Sequence, residues 1–257
     1  MASERTFQIG PVRVRVTGGS DEPPKERLTQ ERIVDVALEQ MAERGYDSVS
    51  MRSVARELGT GPASLYAHVA NKDELDQLVI DRISSSLRIP APDPDHWREQ
   101  IKQVMRDSLA AYRQHPGSAQ AALATIPTQE GGLRAAEGIM AILFAGGVAP
   151  QAAAWFADLS ALYVSAIAAE ESVWIERGKA RAAAGEHYRE EDVVAAMREL
   201  FASLSPAEFP LLSSHAEVMT AGDGDTRFEF GLDVLVAGLE VVSARMAQTN
   251  DAATSGS

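Results

Sequence analysis

Hydrogen-bonding and cationic side chains are concentrated between residues 50 and 72. Arg52, Tyr66, His68 and Lys72 can donate hydrogen bonds, and the small residues among them leave room for a partner to approach. Arginine and lysine commonly bind phosphate oxygens, whereas short hydroxyl and methyl side chains can reach base edges and thymine methyl groups. These residue types therefore favour contact with nucleic acid. Tyr66 has an alternative role, as a ring packed inside the fold with only its hydroxyl exposed.

Two short helices would position these side chains. Ser50 can cap a first helix, Gly59 can end it in a left-handed conformation, and Pro62 suits the first turn of a second helix. Leu65 and Val69, four residues apart, would pack the second helix on the first and leave its other face free for a major groove. The spacing predicts a helix-turn-helix. The residues predicted to contact DNA are Ser50, Arg52, Pro62, Ala63, Ser64, Tyr66, Ala67, His68 and Lys72.

Residues 1–27 contain glycine and proline pairs that are typical of a flexible arm, with one short extended stretch at Val12 to Val16. Arg13 and Arg15 in this stretch could enter a minor groove beside the helix-turn-helix, as basic arms do. A disordered tail or an edge strand is the alternative, and it is the favoured one because chain termini usually behave in that way.

The overall charge argues against a nucleic-acid partner. The formal net charge is −13 and the sequence pI is near 4.9, whereas DNA-binding proteins present positive charge to phosphates. Arg52, Arg56 and Lys72 nevertheless surround the helix-turn-helix. A small basic footprint on an acidic body reconciles the two observations, because the acidic surface would disfavour docking in other orientations.

The composition also limits the compartment and the chemistry. The chain has no cysteine, which excludes disulfides, a thiolate nucleophile and a cysteine-based zinc site and fits a reducing cytoplasm. No uninterrupted apolar run approaches the roughly 20 residues of a membrane span, and the N-terminus lacks the apolar core of a signal peptide. We therefore expect a cytoplasmic protein without a membrane partner.

Helical periodicity continues beyond the helix-turn-helix, and the proline-rich segment 89–95 marks a boundary. The pattern predicts an all-α fold with an N-terminal three-helix DNA-binding domain at 28–74, a larger helical domain at 75–246 and a disordered tail at 247–257. The predicted helices cover 29–44, 50–58, 62–69, 72–88, 95–112, 115–124, 128–146, 150–177, 190–204 and 227–246, with a surface loop at 178–186.

Catalytic motifs are not visible in the sequence. The histidines are scattered at positions 68, 96, 115, 187 and 215, and we find no Ser-His-Asp arrangement, phosphate-binding glycine loop or dinucleotide fingerprint. We therefore expect a protein that is not an enzyme and needs neither cofactor nor metal. The alternatives are a helical ligand-binding or interaction protein that does not read DNA and, less favoured, an enzyme.

Several segments together resemble the tetracycline-repressor (TetR) family of transcriptional regulators. These segments are Arg52-Ser-Val-Ala-Arg-Glu-Leu-Gly, Ser64-Leu-Tyr-Ala-His-Val and Asn71-Lys72-Asp-Glu-Leu. The resemblance implies a repressor that binds operator DNA as a homodimer and is released by a small hydrophobic or drug-like effector, with an efflux or natural-product gene as the usual target. A two-fold dimer implies a palindromic operator with two half-sites.

The C-terminal part resembles the tetracycline-responsive branch of that family. This resemblance implies that helices 150–177 and 227–246 form a four-helix bundle with a second subunit, and that the larger domain binds the effector. Apolar stripes on its helices would line the pocket, although ordinary core has the same pattern. The residues predicted for the pocket are Trp97, Ile101, Val104, Met105, Ser108, Tyr112, Ala122, Thr125, Ile126, Pro127, Ile139, Ile142, Leu162, Ala166 and Glu170.

The same resemblance argues against a magnesium–tetracycline effector. Ala122 stands where the tetracycline sensor has its metal-binding histidine, and a methyl group cannot ligate a metal. Val104 and Ser108 stand where that protein contacts the drug. Glu170 alone is weak evidence for a metal, since it could be solvated, form a salt bridge across the dimer or orient a different ligand.

Overall fold

The computed structural model describes the backbone of residues 4–9, 12–17, 27–123, 125–186 and 189–255, and the side chains within 27–123, 125–186 and 189–249. From Gln30 onward the regular elements of these residues are helices, and the strands among them lie between residues 4 and 17. The prediction of an all-α fold is confirmed for the body of the chain.

The N-terminal helices begin at polar capping residues. Thr29 and Asn71 each accept a backbone N–H in the first turn of their helix, and Ser50 forms a reciprocal capping box with Ser53. Their apolar faces share one buried core, and we call residues 28–74 the reading head. The helices are α1 (Gln30–Arg44), α2 (Met51–Glu57), α3 (Pro62–Tyr66) and α4 (Lys72–Ser85), with a short 3-10 turn at Tyr46–Ser48.

We call all of the helices after α4 the helical body. The helices are α5 (Trp97–Gln114), α6 (Ala119–Leu123), α7 (Glu130–Ala145), α8 (Pro150–Ala183), α9 (Glu190–Ser203), α10 (Pro210–Ser214), α11 (Ala216–Met219) and α12 (Gly224–Ser255). Helices α5, α6, α7, α8 and α12 pack around a second buried cluster. Trp97, Ile142 and Phe156 are among the large residues of this cluster.

Several element boundaries differ from the predictions. The loop predicted at 178–186 is wrong as far as Ala183, because α8 continues through a segment rich in alanine, lysine and arginine, which are strong helix formers. Helix α12 likewise continues to Ser255 through most of the predicted disordered tail. Helix α3 ends at Tyr66, three residues before the predicted end, and α10 and α11 were not predicted.

The N-terminal arm forms an antiparallel hairpin of β1 (Glu4–Ile9) and β2 (Val12–Thr17), where the sequence predicted a single extended stretch. Valine at alternate positions favours the extended backbone of β2. Arg13 and Arg15 lie on this strand, but their side chains lie outside the described residues, so their predicted DNA contact stays a prediction.

A row of ion pairs joins α5 to α12, with every cation of the row on α5 and every carboxylate on α12. Arg106 makes the most regular pair, since its Nε and Nη2 donate to the two carboxylate oxygens of Glu229 at 2.7 and 2.8 Å. These hydrogen bonds lower the pKa of Glu229 below its usual value. The pairs are Arg98 with Glu240, Lys102 with Asp233, Arg106 with Glu229 and Arg113 with Asp225.

Helix α8 is, among the described residues, the one helix that is long and apolar enough to cross a membrane by length and composition, with a mean hydropathy of 1.5 in its most apolar window. This property of α8 was not predicted from the sequence. Phe156, Val164 and Ala168 on one face of α8 belong to the core of the helical body. The apolar composition of α8 therefore reflects partly its place in the core.

Candidate nucleic-acid interface

Helix α3 separates its side chains into a buried and an exposed set. Leu65 and the following Val69 are 0% and 1% exposed and pack into the core of the reading head. The residues predicted to face DNA are all exposed, and they are Pro62, Ala63, Ser64, Tyr66, Ala67 and His68. Tyr66 is 53% exposed, so its ring is not packed between helices. The outer face of α3 is thus free for a partner.

Helix α2 and its cap lie beside this face. Arg52 and Arg56, four residues apart, are both exposed, so they share one side of α2. Ser50 is exposed as well, but its hydroxyl accepts the backbone N–H of Ser53 at 3.1 Å, so its first role is to cap the helix. Gly59 ends α2 with a φ of 61°, the left-handed region that glycine occupies without strain.

Lys72 is held more tightly than the sequence indicates. Its ammonium forms an ion pair with the buried carboxylate of Asp76 and lies 4.1 Å from the centroid of the Tyr46 ring. The Tyr46 hydroxyl donates to the same carboxylate at 2.7 Å, and burial followed by this hydrogen bond raises the tyrosine pKa. The i, i+4 spacing of Lys72 and Asp76 on one helix is a pattern from which this ion pair could have been predicted. The contact of Lys72 with Tyr46 could not, because Tyr46 is distant in the sequence.

Helix α4 leaves the reading head and packs closely on α7. Asp81 on α4 accepts the backbone N–H groups of Gly131 and Gly132 at 2.6 and 3.3 Å and so caps α7. A Cβ added to Gly131 would lie 2.8 Å from the backbone oxygen of Asp81, and the Ser85 hydroxyl is nearer still. The glycine at position 131 therefore allows α4 and the start of α7 to approach closely.

The residues predicted to line the effector pocket are only partly brought together. Trp97, Ile101, Val104, Met105 and Ile142 are buried in the core of the helical body. Partly buried residues beside them are Ser108, Tyr112 and Ile139, and Thr125 is also partly buried. Ala122 packs instead against the core of the reading head. The exposed members are Ile126, Pro127, Leu162, Ala166 and Glu170. The prediction of a pocket built from this whole set remains untested.

A groove of about 680 Å³ opens between α5, α8 and the start of α12. Glu170 is the member of the predicted pocket that lines it, and Trp174, Ile167 and Ile175 give it apolar surface. Tyr163, also in its wall, stacks on Phe228 with ring centroids 5.6 Å apart. Aromatic and charged side chains are thus combined in a recess of the size that small molecules occupy.

Large apolar side chains cover the outward faces of α8 and α12. Members of this set are Trp155, Leu159, Leu162, Phe230, Val234 and Val241, all of them exposed. A soluble monomer rarely exposes a contiguous apolar surface of this kind. The feature therefore indicates an interaction surface on these two helices.

A small helix-turn-helix carried by a larger helical body with a groove defines a ligand-responsive regulator of transcription. A family model described as "Bacterial regulatory proteins, tetR family" matches residues 33–77, and one described as "Tetracyclin repressor-like, C-terminal domain" matches residues 89–243. The chain belongs to the tetR family of bacterial regulators, with a C-terminal domain of the tetracycline-repressor type. The resemblance inferred from the sequence is confirmed.

Named relatives agree with this assignment. The chain is 43% identical over 94 residues to the transcriptional repressor DrrR1 of Streptomyces coeruleorubidus, an alignment that covers 36% of this chain and 35% of that protein. It is 29% identical over 217 residues to an HTH-type transcriptional regulator of Saccharopolyspora erythraea, covering 84% and 86% of the two chains. The crystal structure of Streptomyces coelicolor ActR with (S)-DNPA is 35% identical with a TM-score of 0.72, covering 85% of this chain and 100% of ActR.

Proposed function

We propose that this protein is a cytoplasmic homodimeric repressor that binds a palindromic operator and is released by a small hydrophobic or natural-product effector. Its role is binding rather than catalysis. The observation that carries the proposal is the exposed outer face of α3, where Ser64, Tyr66 and His68 are available while Leu65 is buried. Major-groove readers present a short helix in this manner.

The apolar outer faces of α8 and α12 support the homodimer. Burying Trp155, Leu162 and Phe230 against a second copy would remove exposed apolar surface from water, which is favourable by roughly 25 cal/mol per Å². A dimer would also present two copies of α3 to two half-sites. Analytical ultracentrifugation tests this step: the protein should sediment as a dimer, and Leu162→Asp should shift it toward monomer. Sedimentation of the unaltered protein as a monomer would contradict the proposal.

The groove and the relatives support a small-molecule effector. ActR, at 35% identity, was crystallised with (S)-DNPA and, in another structure, with actinorhodin. We therefore propose a natural product with aromatic rings as the effector, stacked beside Trp174 and Tyr163 in the groove. A hundredfold release from the operator requires that the effector prefer the non-binding conformation by about 2.7 kcal/mol.

Binding to duplex DNA tests the central step. We expect fluorescence anisotropy to show binding to a DNA fragment that flanks the gene for this protein, or to a duplex selected from a random pool, with an affinity that falls as salt rises. Tyr66→Ala should weaken binding. Arg52→Ala, at an exposed predicted DNA contact, should reduce the salt dependence by about one phosphate contact. Glu199→Ala, at an exposed position on α9, serves as the control. The absence of binding at low salt would refute DNA reading and favour a ligand-binding protein.

Thermal-shift measurements with actinorhodin test the effector step. A ligand that binds the folded state raises the unfolding free energy by about 2.7 kcal/mol when its concentration is a hundred times its Kd. Trp174→Ala should reduce this shift, because Trp174 lines the groove. Leu133→Ala is the control, since Leu133 is exposed on α7, away from the groove lining and from the outer faces of α8 and α12. Equal shifts in both variants would place the ligand outside the groove.

A further inference from the structure

Besides α4 and the alanines of α5 and α6 that share its core, the reading head contacts the helical body at the C-terminal end of α1. Lys179 on α8 donates a hydrogen bond from its Nζ to the backbone oxygen of Ala42 at 2.8 Å. Ala42 lies in the last turn of α1, where carbonyl groups have no partner within the helix. A cation is also favourable there because of the helix dipole. Lys179, from a distant part of the chain, thus caps the C-terminal end of α1.

The turn between α5 and α6 joins this contact. The backbone N–H of Gly117 donates to the buried hydroxyl of Ser172 on α8 at 3.1 Å. Gly117 has a φ of 87°, and a Cβ added to it would lie 2.9 Å from the backbone oxygen of Met41. The turn is therefore wedged between α8 and the last turn of α1, and a side chain at Gly117 would push them apart.

Glu176 completes the contact. A Cβ added to Gly45, the residue that follows α1, would lie 2.6 Å from a carboxylate oxygen of Glu176. Ser172, Glu176 and Lys179 are spaced i, i+4 and i+7, so they share one face of α8. We call the contacts of these three residues with Ala42, Gly45 and the Gly117 turn the α1–α8 junction.

The same turns of α8 also form a wall of the groove. Trp174, Ile175 and Gly178 line it and alternate along the chain with the junction residues Ser172, Glu176 and Lys179. A helix turns about 100° per residue, so the two sets face different directions from one rigid segment. A displacement of this segment would therefore reach the groove and the end of α1 together.

We propose that Lys179 is a positioning residue that fixes the orientation of the reading head relative to the helical body. Besides α4, Ala111 and Ala121 of α5 and α6 pack into the core of the head, but apolar contacts of this kind are not directional. The charged hydrogen bond from Lys179 to Ala42 is directional and holds the end of α1 at one angle. Two heads on one operator must keep a fixed separation and angle. The inference rests on the proposed operator binding.

The test compares three variants of the full-length protein. Lys179→Met removes the charge and the donor but keeps an apolar stem of similar length, whereas Lys179→Arg keeps both charge and donor. Arg177→Met is the matched control, because Arg177 belongs to the same stretch of α8 but contacts Trp174, with its guanidinium carbon 5.2 Å from the ring centroid. Far-UV circular dichroism checks that all three remain folded.

Distances between two dyes on one chain report the orientation of the head. Because the chain has no cysteine, Arg56→Cys on α2 and Glu137→Cys on α7 can be labelled specifically, and labelled chains are diluted into unlabelled protein of the same variant. Single-molecule energy transfer should give one narrow distribution for the unsubstituted junction, for Lys179→Arg and for Arg177→Met. Lys179→Met should broaden or shift it. An unchanged distribution in Lys179→Met overturns the inference, whatever its operator affinity.

Operator binding supplies the second readout. We expect Lys179→Met to weaken binding to a two-half-site duplex by about fivefold, the order of the net contribution of one hydrogen bond, and to leave binding to a single half-site unchanged. Equal losses on both duplexes would mean that Lys179 acts on DNA contact and not on orientation, which also overturns the inference. If the unsubstituted protein binds no duplex, the proposed function fails, while the dye distances still report whether Lys179 holds the head.

Discussion

Removal of the Asp76 carboxylate should destabilise the reading head measurably. The side chain of Asp76 is 7% exposed, and it pairs with Lys72 and accepts the Tyr46 hydroxyl at 2.7 Å. Asp76→Ala would leave both partners unsatisfied. Breaking a fully buried ion pair in this way costs about 3–5 kcal/mol. The Lys72 side chain keeps 28% exposure and can recover some hydration, so we expect a loss of about 2 kcal/mol.

Urea denaturation of four variants, each compared with the unsubstituted protein, tests this value. The variants are Asp76→Ala, Tyr46→Phe, their combination and a control at an exposed position. Tyr46→Phe removes only the hydroxyl, so it should cost about 1 kcal/mol. Because both substitutions remove the same hydrogen bond, the double variant should be less destabilised than the sum of the single effects, by about 1 kcal/mol. Glu199→Ala, at an exposed position on α9, is the control and should change the unfolding free energy by less than about 0.5 kcal/mol. Additivity of Asp76→Ala and Tyr46→Phe within about 0.3 kcal/mol would refute the reasoning.

Three further predictions concern the junction and the helical body. Gly45→Ala should lower the unfolding free energy by about 1–3 kcal/mol in urea denaturation, because the φ of 81° and ψ of 162° at Gly45 suit only glycine and the carboxylate of Glu176 is in the way. Burial lowers the pKa of His115 below 6.5. As the pH falls, the unfolded chain therefore takes up a proton at this histidine before the folded chain does, and stability decreases below about pH 6.5. Melting curves between pH 8 and 5 should show a smaller decrease in the melting temperature for His115→Gln. Arg106→Ala should lower the unfolding free energy by about 0.5–1 kcal/mol at low salt, because the ion pair with Glu229 is lost, and by less in 1 M NaCl. An equal decrease at both salt concentrations would contradict the electrostatic explanation.

Local rules were sufficient to predict the reading head from the sequence. The hydroxyl of Ser50, the glycine at position 59 and the proline at position 62 act on the residues next to them, so their effects can be predicted without knowledge of the rest of the fold. The spacing of Leu65 and Val69 likewise determines which face of α3 is buried, and the structure has both in the core.

The helical body was harder to predict because its features depend on contacts between distant residues. An apolar stripe has the same periodicity whether it forms a core or a pocket wall, so Ile101 and Met105, both buried in the core, could not be distinguished from groove residues. The contact between Lys179 and Ala42 joins residues 137 positions apart. No local pattern indicates such a pair.

Helix α4 contacts the start of α7 at Asp81, and a tilt of α4 about this point would displace its N-terminal end. The Asp81 carboxylate accepts the backbone N–H groups of Gly131 and Gly132 at 2.6 and 3.3 Å, so it attaches the start of α7 directly to α4. Lys72 at the start of α4 lies nine residues from Asp81, about 13 Å along the helix at 1.5 Å per residue. A tilt of 10° about this point would move Lys72 by about 2 Å, a large fraction of a hydrogen-bond length. A tilt of α4 of this size about its contact with α7 would therefore be large enough to break hydrogen bonds made at the start of α4.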